Sequence, residues 1–542
     1  MRHIFKGLLA LVALAGLACG MAATPLSKSA ATPTPAAATA VPAPTATPKP
    51  TSIATSASKR QEITLRVGTG FLTGSLAPPA RQTHVAMGLG ETLFRLGEEY
   101  RPVPWLATGA KNLDAVTWEI TLRQGVKFHN GVEMDAAKVK ASLERAFAES
   151  ASTKALLDTS RIDVKDRYTL TIVTNSPSPI LPSLLTAGET AIADAGAAQA
   201  MGTTFNDMPV LTGPFKVERY QQGKELVAVR YSDYWGPRPL VDRLVVTHIP
   251  DNNALVLALQ AGDIDIARGI PPHSVETLER HPKLEVRHPA RFQLNFMFFN
   301  TQRETIKDVR VRQAIAHAVD REALVKGVML GQAAPAVGPF PPTFLKCDGL
   351  QGRSFAPAKA RELLSMAGYE DLNGDGILEK GGQPLEITFL TYGQGGFLPP
   401  MAEAIQTMLK NVGIKANIRT VEGIDVVLKG ADWDASMFNN NMVHTGDAYG
   451  TLFSFATPSA YLNKSNYQNP QLDGLLTQMA PLADREERRR LACSASQVLI
   501  DDAPIVPILY QNYDYGVSKA VTGFDKPYPY FLYMIDSTIG KR

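Results

Sequence analysis

The sequence predicts an α/β protein with more than one core, and three observations carry this. Short segments that alternate apolar and polar residues, as half-buried strands do, interleave with segments whose apolar residues recur at helical spacing. One such helix sits between two strands, and this β-α-β order implies parallel strands in one sheet. About 480 residues follow a Pro/Thr/Ala-rich leader region, which is too long for a single hydrophobic core and long enough for two or three.

The strands read from the N-terminal side are Ile63 to Val67, Thr117 to Leu122 and Thr169 to Val173. Val311, Ala314, Ile315, Ala318 and Val319 mark one helix. Ala360, Leu363, Leu364 and Ala367 mark a second, stopped by Gly368. Ile405, Met408, Leu409 and Val412 mark a third, stopped by Gly413. Strand Leu385 to Leu390 precedes that third helix and strand Ile414 to Val421 follows it. Each helix has one apolar face for a core. No internal repeat is present.

The N-terminal region has a different character. Arg2, His3 and Lys6 precede an apolar run from Gly7 to Ala18 that ends at Cys19. A charged start, a short apolar core and small residues read as a secretory signal. The run is shorter than the ~20 apolar residues a membrane span needs. Cys19 is the expected lipidation site, in the stretch Gly16-Leu17-Ala18-Cys19. Ordinary cleavage after Gly20 is the alternative, since Ala18 and Gly20 fit a small-x-small rule. Residues from about Ala23 to Ser58 lack the large apolar groups that offset backbone ordering entropy, so residues 20–60 read as a tether. At ~3.1 Å per residue it reaches on the order of 100 Å.

Composition bounds the function. Hydrophobic residues make up 45% and charged residues 20%, as expected of a water-soluble globular body. The net charge of +3 argues against nucleic acid as the main partner, which usually needs a basic face. No later apolar run reaches the length of a membrane span. Besides Cys19, Cys347 and Cys493 are either paired or separate thiols, and they lack metal-finger spacing. The chain contains no G-x-x-x-x-G-K-S/T loop, no H-E-x-x-H helix and no G-x-S-x-G elbow, so it is not read as an enzyme. Tyr392-Gly393-Gln394-Gly395-Gly396 reads as a loop at a strand end, without the lysine of a phosphate cradle. Asp371-Leu372-Asn373-Gly374-Asp375-Gly376 matches half of a calcium loop, but its twelfth position is Gly382, and a tight acidic turn is the simpler reading. His84 and His444 lie in Gly- and polar-rich segments of the kind that line sites.

Several motifs in order resemble the extracellular solute-binding proteins of ABC importers, in the peptide/nickel class. They are Pro104-Trp105-Leu106-Ala107, Thr117-Trp118 through Asn130-Gly131, and Thr212-Gly213-Pro214-Phe215. Tyr234-Trp235-Gly236, Gly262-Asp263-Ile264-Asp265, Asn300, Val309 to Ala314, Asp320-Arg321 and the Pro357 to Tyr369 helix follow. The resemblance implies a two-lobed periplasmic-binding-protein-like fold (type II) with an extra subdomain in the first lobe. It places the first lobe at 61–290 with the subdomain at about 101–211, the second lobe at 291–509, and a return to the first lobe at 510–542. It implies a ligand held between lobes that close on a hinge. It also implies an extracytoplasmic monomeric receptor that serves a permease and its ATPase, anchored by lipid or confined in a periplasm. His129 and Trp118 belong to the motifs and read as structural.

The same resemblance addresses the ligand. Asn439 to Asp447 corresponds to the family's cleft loop, where peptide binders place an aspartate that clamps the ammonium group. Alignment on Gly446-Asp447 puts His444 at that position and Asn441 at the usual tryptophan. A neutral imidazole lacks the charge of that acceptor but ligates transition metals. His84, in the segment after the first strand, is the expected partner across the cleft, with waters or a small chelator completing a Ni²⁺ shell. Asn439 stands where a nickel binder has its loop histidine, and Leu185 to Thr190 lacks the arginines that hold a chelator's carboxylates. Nickel, free or chelated, is the expected cargo rather than a cofactor. A short peptide is the alternative, with Asp447 or Glu189 as ammonium clamp. The candidate ligand-binding set is His84, His444, Asn441, Asp447, Tyr392 and Asn439.

Overall fold

Strand Thr64–Thr69 is the centre of the first lobe, and its inward residues Leu65 and Val67 are fully buried. It runs parallel to Arg243–His248 on one side and to Ile266–Arg268 on the other. Antiparallel strands extend this sheet to Phe215–Gln221 at one edge and, through Tyr515–Ser518, to Leu284–Arg287 at the other. The computed structural model describes residues 62–542 apart from 73, 81, 290–292, 394–396, 459, 465, 512 and 525–532. The leader, Cys19 and the tether lie outside the described residues, as do Gln394, Gly395 and Gly396.

The second lobe is built on Gln293–Phe299, a strand with every residue buried. A strand covered on both faces reads as a continuous apolar run, and Phe296-Met297-Phe298-Phe299 is such a run. Ile505–Gln511 pairs with it antiparallel on one side and Ala435–Asn441 on the other. Beyond these, Glu386–Thr391 runs parallel to both Ala435–Asn441 and Lys415–Thr420. The expected β-α-β unit is therefore present, with helix Leu398–Lys410 as its crossover. Gly413, at φ +91°, ends that crossover in a conformation that strains any residue with a Cβ.

A separate four-stranded sheet holds Ala107–Asn112, Thr117–Leu122, Thr169–Thr174 and Thr159–Asp166, with helix Ala136–Glu149 against it. Trp118 donates its indole N–H to the Ser178 carbonyl at 2.9 Å, and His129 Nε2 donates to the Gly213 carbonyl at 3.0 Å. Burial pushes the His129 imidazole down to about 4. Both side chains thus hold this region together.

The chain passes from the first sheet to the second between Arg287 and Gln293 and returns between Gln511 and Tyr515. Cys347 and Cys493 form a disulfide, with S–S 2.00 Å, that ties a loop to helix Arg485–Asp502. Among the described residues no helix is long and apolar enough to cross a membrane.

Candidate functional site

Between the lobes lies a cavity of about 270 Å³. Gly70, Phe71, Gly269 and Ile270 contribute its first-lobe wall, and Met329, Gln332 and Phe397 its second-lobe wall. Gln511, Tyr513 and Asp514 enter from the return crossing. The topology puts the cavity there. Gly70 follows strand Thr64–Thr69, and Gly269 follows its parallel neighbour Ile266–Arg268. Ligand crevices form at such carboxyl ends of parallel strands, where the loops diverge.

Arg268 stands behind this wall and is 4% exposed. Its guanidinium carbon lies 4.5 Å from the Phe71 ring centre and 5.0 Å from that of Tyr513. The two rings meet edge to face at 5.9 Å. A guanidinium against aromatic faces is stabilised by the ring quadrupole, more so when desolvated. Burial pushes the Tyr513 phenol up, while Arg268 and a hydrogen bond with Asn439 act against it.

Asn439 joins that edge of the cavity to Tyr392. Its N–H donates to the Tyr392 oxygen at 3.2 Å, and the Tyr392 hydroxyl donates to Asn439 Oδ1 at 3.2 Å. Both residues lie at the carboxyl ends of parallel strands, Glu386–Thr391 and Ala435–Asn441. Two residues selected from the sequence thus come together beside the cavity.

The other four occupy different surroundings. His84 lies in the short helix Thr83–Ala86, is fully buried, and donates from Nε2 to the Gly188 carbonyl at 2.9 Å. Glu189 is next to that carbonyl, and burial raises its carboxyl, with a Gln82 hydrogen bond acting the other way. His444 is half-buried beyond Asn441, with the Asn440 side-chain amide 3.4 Å from Nε2. Burial pushes its imidazole down to about 4, against the effect of a hydrogen bond to the Asn441 carbonyl. Asn441 folds onto its own loop: Oδ1 accepts from Val443 N–H at 3.0 Å and Nδ2 donates to the Val443 carbonyl at 3.2 Å. Asp447 accepts from Arg488 at 2.8 and 3.0 Å and caps the following helix through Tyr449 N–H at 2.8 Å.

Neither histidine is among the cavity-lining residues. Among the described residues, the one group of three or more His, Cys, Asp or Glu close enough to share a cation is Asp371, Asp375 and Glu379. Its carboxylates accept backbone N–H groups of their own turn, from Gly374, Gly376, Ile377 and Leu372. Gly446, at φ +71°, lets the cleft loop touch the first lobe: a Cβ there would lie 2.0 Å from the Tyr100 carbonyl oxygen. Tyr100 also meets Phe344 of the second lobe, ring centres 5.7 Å apart.

Sequence reasoning missed Phe71, Arg268, Tyr513 and Asp514. Arg268 follows Gly262-Asp263-Ile264-Asp265 closely enough to attract notice, but nothing local separates it from other strand-end arginines. The expectation that the cleft region lacks a chelator-holding arginine applies to Leu185 to Thr190, not to this strand end.

Two lobes joined by two crossings around a small lined cavity define a solute-binding protein. The model of the bacterial extracellular solute-binding proteins, family 5, matches residues 101–463, and the chain belongs to that family. It is therefore a receptor of the kind that serves ABC importers, and its relatives are extracellular or periplasmic. The nickel-binding protein NikA of Staphylococcus aureus is 29% identical over 477 residues, covering 87% of this chain and 93% of that protein. The glutathione-binding protein GsiB of Salmonella paratyphi A is also 29% identical, over 490 residues, with the same coverage of each chain. The crystal structure of S. aureus NikA in complex with Ni(L-His)₂ superposes with a TM-score of 0.80 at 27% identity, covering 89% of this chain and all of that one.

Proposed function

We propose that this receptor captures nickel as a small chelate in the interlobe cleft and delivers it to its permease. The observation that carries the reading is the cavity itself. At about 270 Å³ it is just below the ~300–1,000 Å³ of drug-sized ligand pockets, a size for a metal with one or two amino-acid-sized chelators. Arg268, behind the aromatic pair, is a cation suited to a chelator's carboxylate. The similarity to a protein crystallised with Ni(L-His)₂ supports the same chemistry.

His84 and His444, the protein ligands expected from the sequence, lie outside the lining of this cavity, so they reach the metal only where further closure of the lobes brings them to it. His444 is held neutral, the form that binds metal, and its contact with Asn440 at 3.4 Å is long enough to yield easily. Calorimetry of Ni²⁺ with L-histidine tests both. The His84→Ala/His444→Ala double variant is expected to lose roughly 100-fold or more in affinity, about 2.7 kcal/mol. Unchanged affinity removes both histidines from the site.

A short peptide is the second reading. Asp514 favours it, because a peptide ammonium needs a buried anionic acceptor and this carboxylate belongs to the cavity wall. Asp447 lies outside that wall and accepts from Arg488 and Tyr449. Thermal stabilisation of the chain by a dipeptide but not by nickel–histidine would select it.

A further inference from the structure

Gln511 is the last residue of strand Ile505–Gln511 before the return crossing, is 1% exposed, and lines the cavity. It pairs directly with Gln293, and Asn295 follows two residues on, so all three side chains project from one face of the second-lobe sheet. Asn439 and Asn441, opposite Asn295 and Gln293, share that face. Burying carboxamides at this end of the sheet costs free energy where apolar residues would fit. One contact among them fixes an orientation: Asn295, fully buried, donates from Nδ2 to Gln511 Oε1 at 2.6 Å. Among the described residues nothing donates to Asn295 Oδ1. An amide pair that leaves an orphaned oxygen adds little stability, because an apolar pair of the same shape does about as well. Its effect is on direction. With Oε1 held by Asn295, the Nε2 end of Gln511 carries the N–H donors that remain for the cavity.

We propose that Gln511 is a specificity-determining residue of the cleft: its Nε2 donates to a carboxylate oxygen of the ligand, and Asn295 is its positioning residue. A carboxylate is the strong partner for an amide N–H, since a hydrogen bond to a charged acceptor is roughly twice as strong as one to a neutral acceptor. That carboxylate belongs to an amino acid that chelates a metal, or to the C-terminus of a short peptide. A bond at Gln511 also holds the ligand where the second-lobe sheet ends and the chain crosses back to the first lobe. This rests on the receptor reading and not on nickel.

The test is calorimetry on the full chain with paired probes that differ by the carboxylate. Ni²⁺ with L-histidine is compared with Ni²⁺ with histamine, and alanylalanine with alanine ethylamide. The wild type is expected to prefer the carboxylate-bearing member by roughly 30-fold or more, the scale of a hydrogen bond to a charged group. Gln511→Met keeps the length of the side chain and removes its N–H, and is expected to lower that preference roughly tenfold. Asn295→Leu should lower it part of the way, since Gln511 keeps its donors but loses their aim. A purely structural amide pair would move the melting temperature and leave this ratio alone. Each single variant strands a buried amide, so the double variant Asn295→Leu/Gln511→Met serves where one fails to fold. It is expected to melt near the wild type and to keep the lowered ratio. Equal binding of the paired probes by the wild type overturns the proposal, as does a Gln511→Met chain or a double variant that keeps the full preference. Discrimination within the dipeptide pair without any binding of the nickel pair would remove the nickel reading and leave the role of Gln511 standing.

Discussion

Two segments at the cleft end of the second lobe start alike and finish differently. Ala435–Asn441 and Ile505–Gln511 flank the same strand, so Asn441 and Gln511 both sit opposite Gln293. Each strand then leads into a polar stretch. After Asn441, the polar groups turn inward on their own lobe: Asn441 bonds Val443, and Asp447 bonds Arg488 and Tyr449. After Gln511, Tyr513 and Asp514 reach the cavity. Polar composition marks both stretches equally, but only the fold separates a stretch that bonds within its own lobe from one that lines the cavity.

The comparison breaks first at Asp447. Arg488 is almost fully buried, with 3% of its side chain exposed, so Asp447→Ala leaves a buried charge without its carboxylate. The expected loss is about 4 kcal/mol of stability in urea denaturation, with the affinity of the folded protein unchanged within about threefold. A stable Asp447→Ala chain that binds poorly would instead make Asp447 a ligand residue, and the contrast with Asp514 would vanish.

Glu91 offers the next largest effect, from a buried acid away from both segments. It is fully buried and accepts from the Tyr234 hydroxyl at 2.8 Å and the Trp235 indole at 2.9 Å. Burial pushes its carboxyl up from 4.5 to about 7, against these hydrogen bonds and Arg123. The folded state therefore holds this proton more tightly than the unfolded state. The stabilisation is complete below about pH 4.5 and is lost as pH rises towards 7. Its size is on the order of 3 kcal/mol. Glu91→Gln should flatten that part of the stability profile in thermal melts from pH 4 to 8. An unchanged slope would assign the pH dependence to other groups. Because Glu91 is in neither segment, cleft affinity should be indifferent to the substitution.

The smallest effect sharpens the comparison from the loop's side. Asn441→Ala removes two hydrogen bonds that the loop makes with itself, at an expected cost of about 1–2 kcal/mol and no change in affinity. A change in affinity without a change in the melting temperature would return Asn441 to the ligand-binding set.

Much of the architecture was legible because it repeats locally. The helix expected around Ile405 spans Leu398–Lys410, and the strands on either side of it pair in parallel with one another or with their neighbours as the β-α-β order requires. Tyr392 was expected in a loop at a strand end and follows strand Glu386–Thr391, whereas Asn439, expected in the cleft loop, lies within strand Ala435–Asn441. The cavity wall was not legible. Phe71, Gly269, Met329, Phe397 and Asp514 come from well-separated segments, and no local pattern announces that five chain segments will converge. The pairing of Cys347 with Cys493 was equally unreadable, because proximity across the fold leaves no mark in either segment.

In the proposed function a nickel chelate occupies the cavity between Phe71 and Tyr513 on one side and Met329 and Phe397 on the other. Diffraction from crystals of the chain grown with Ni²⁺ and L-histidine, recorded at the nickel absorption edge, tests it directly. One strong anomalous peak inside that cavity is the expected result. A peak confined to the Asp371, Asp375 and Glu379 turn, with the cavity empty of nickel, would contradict it.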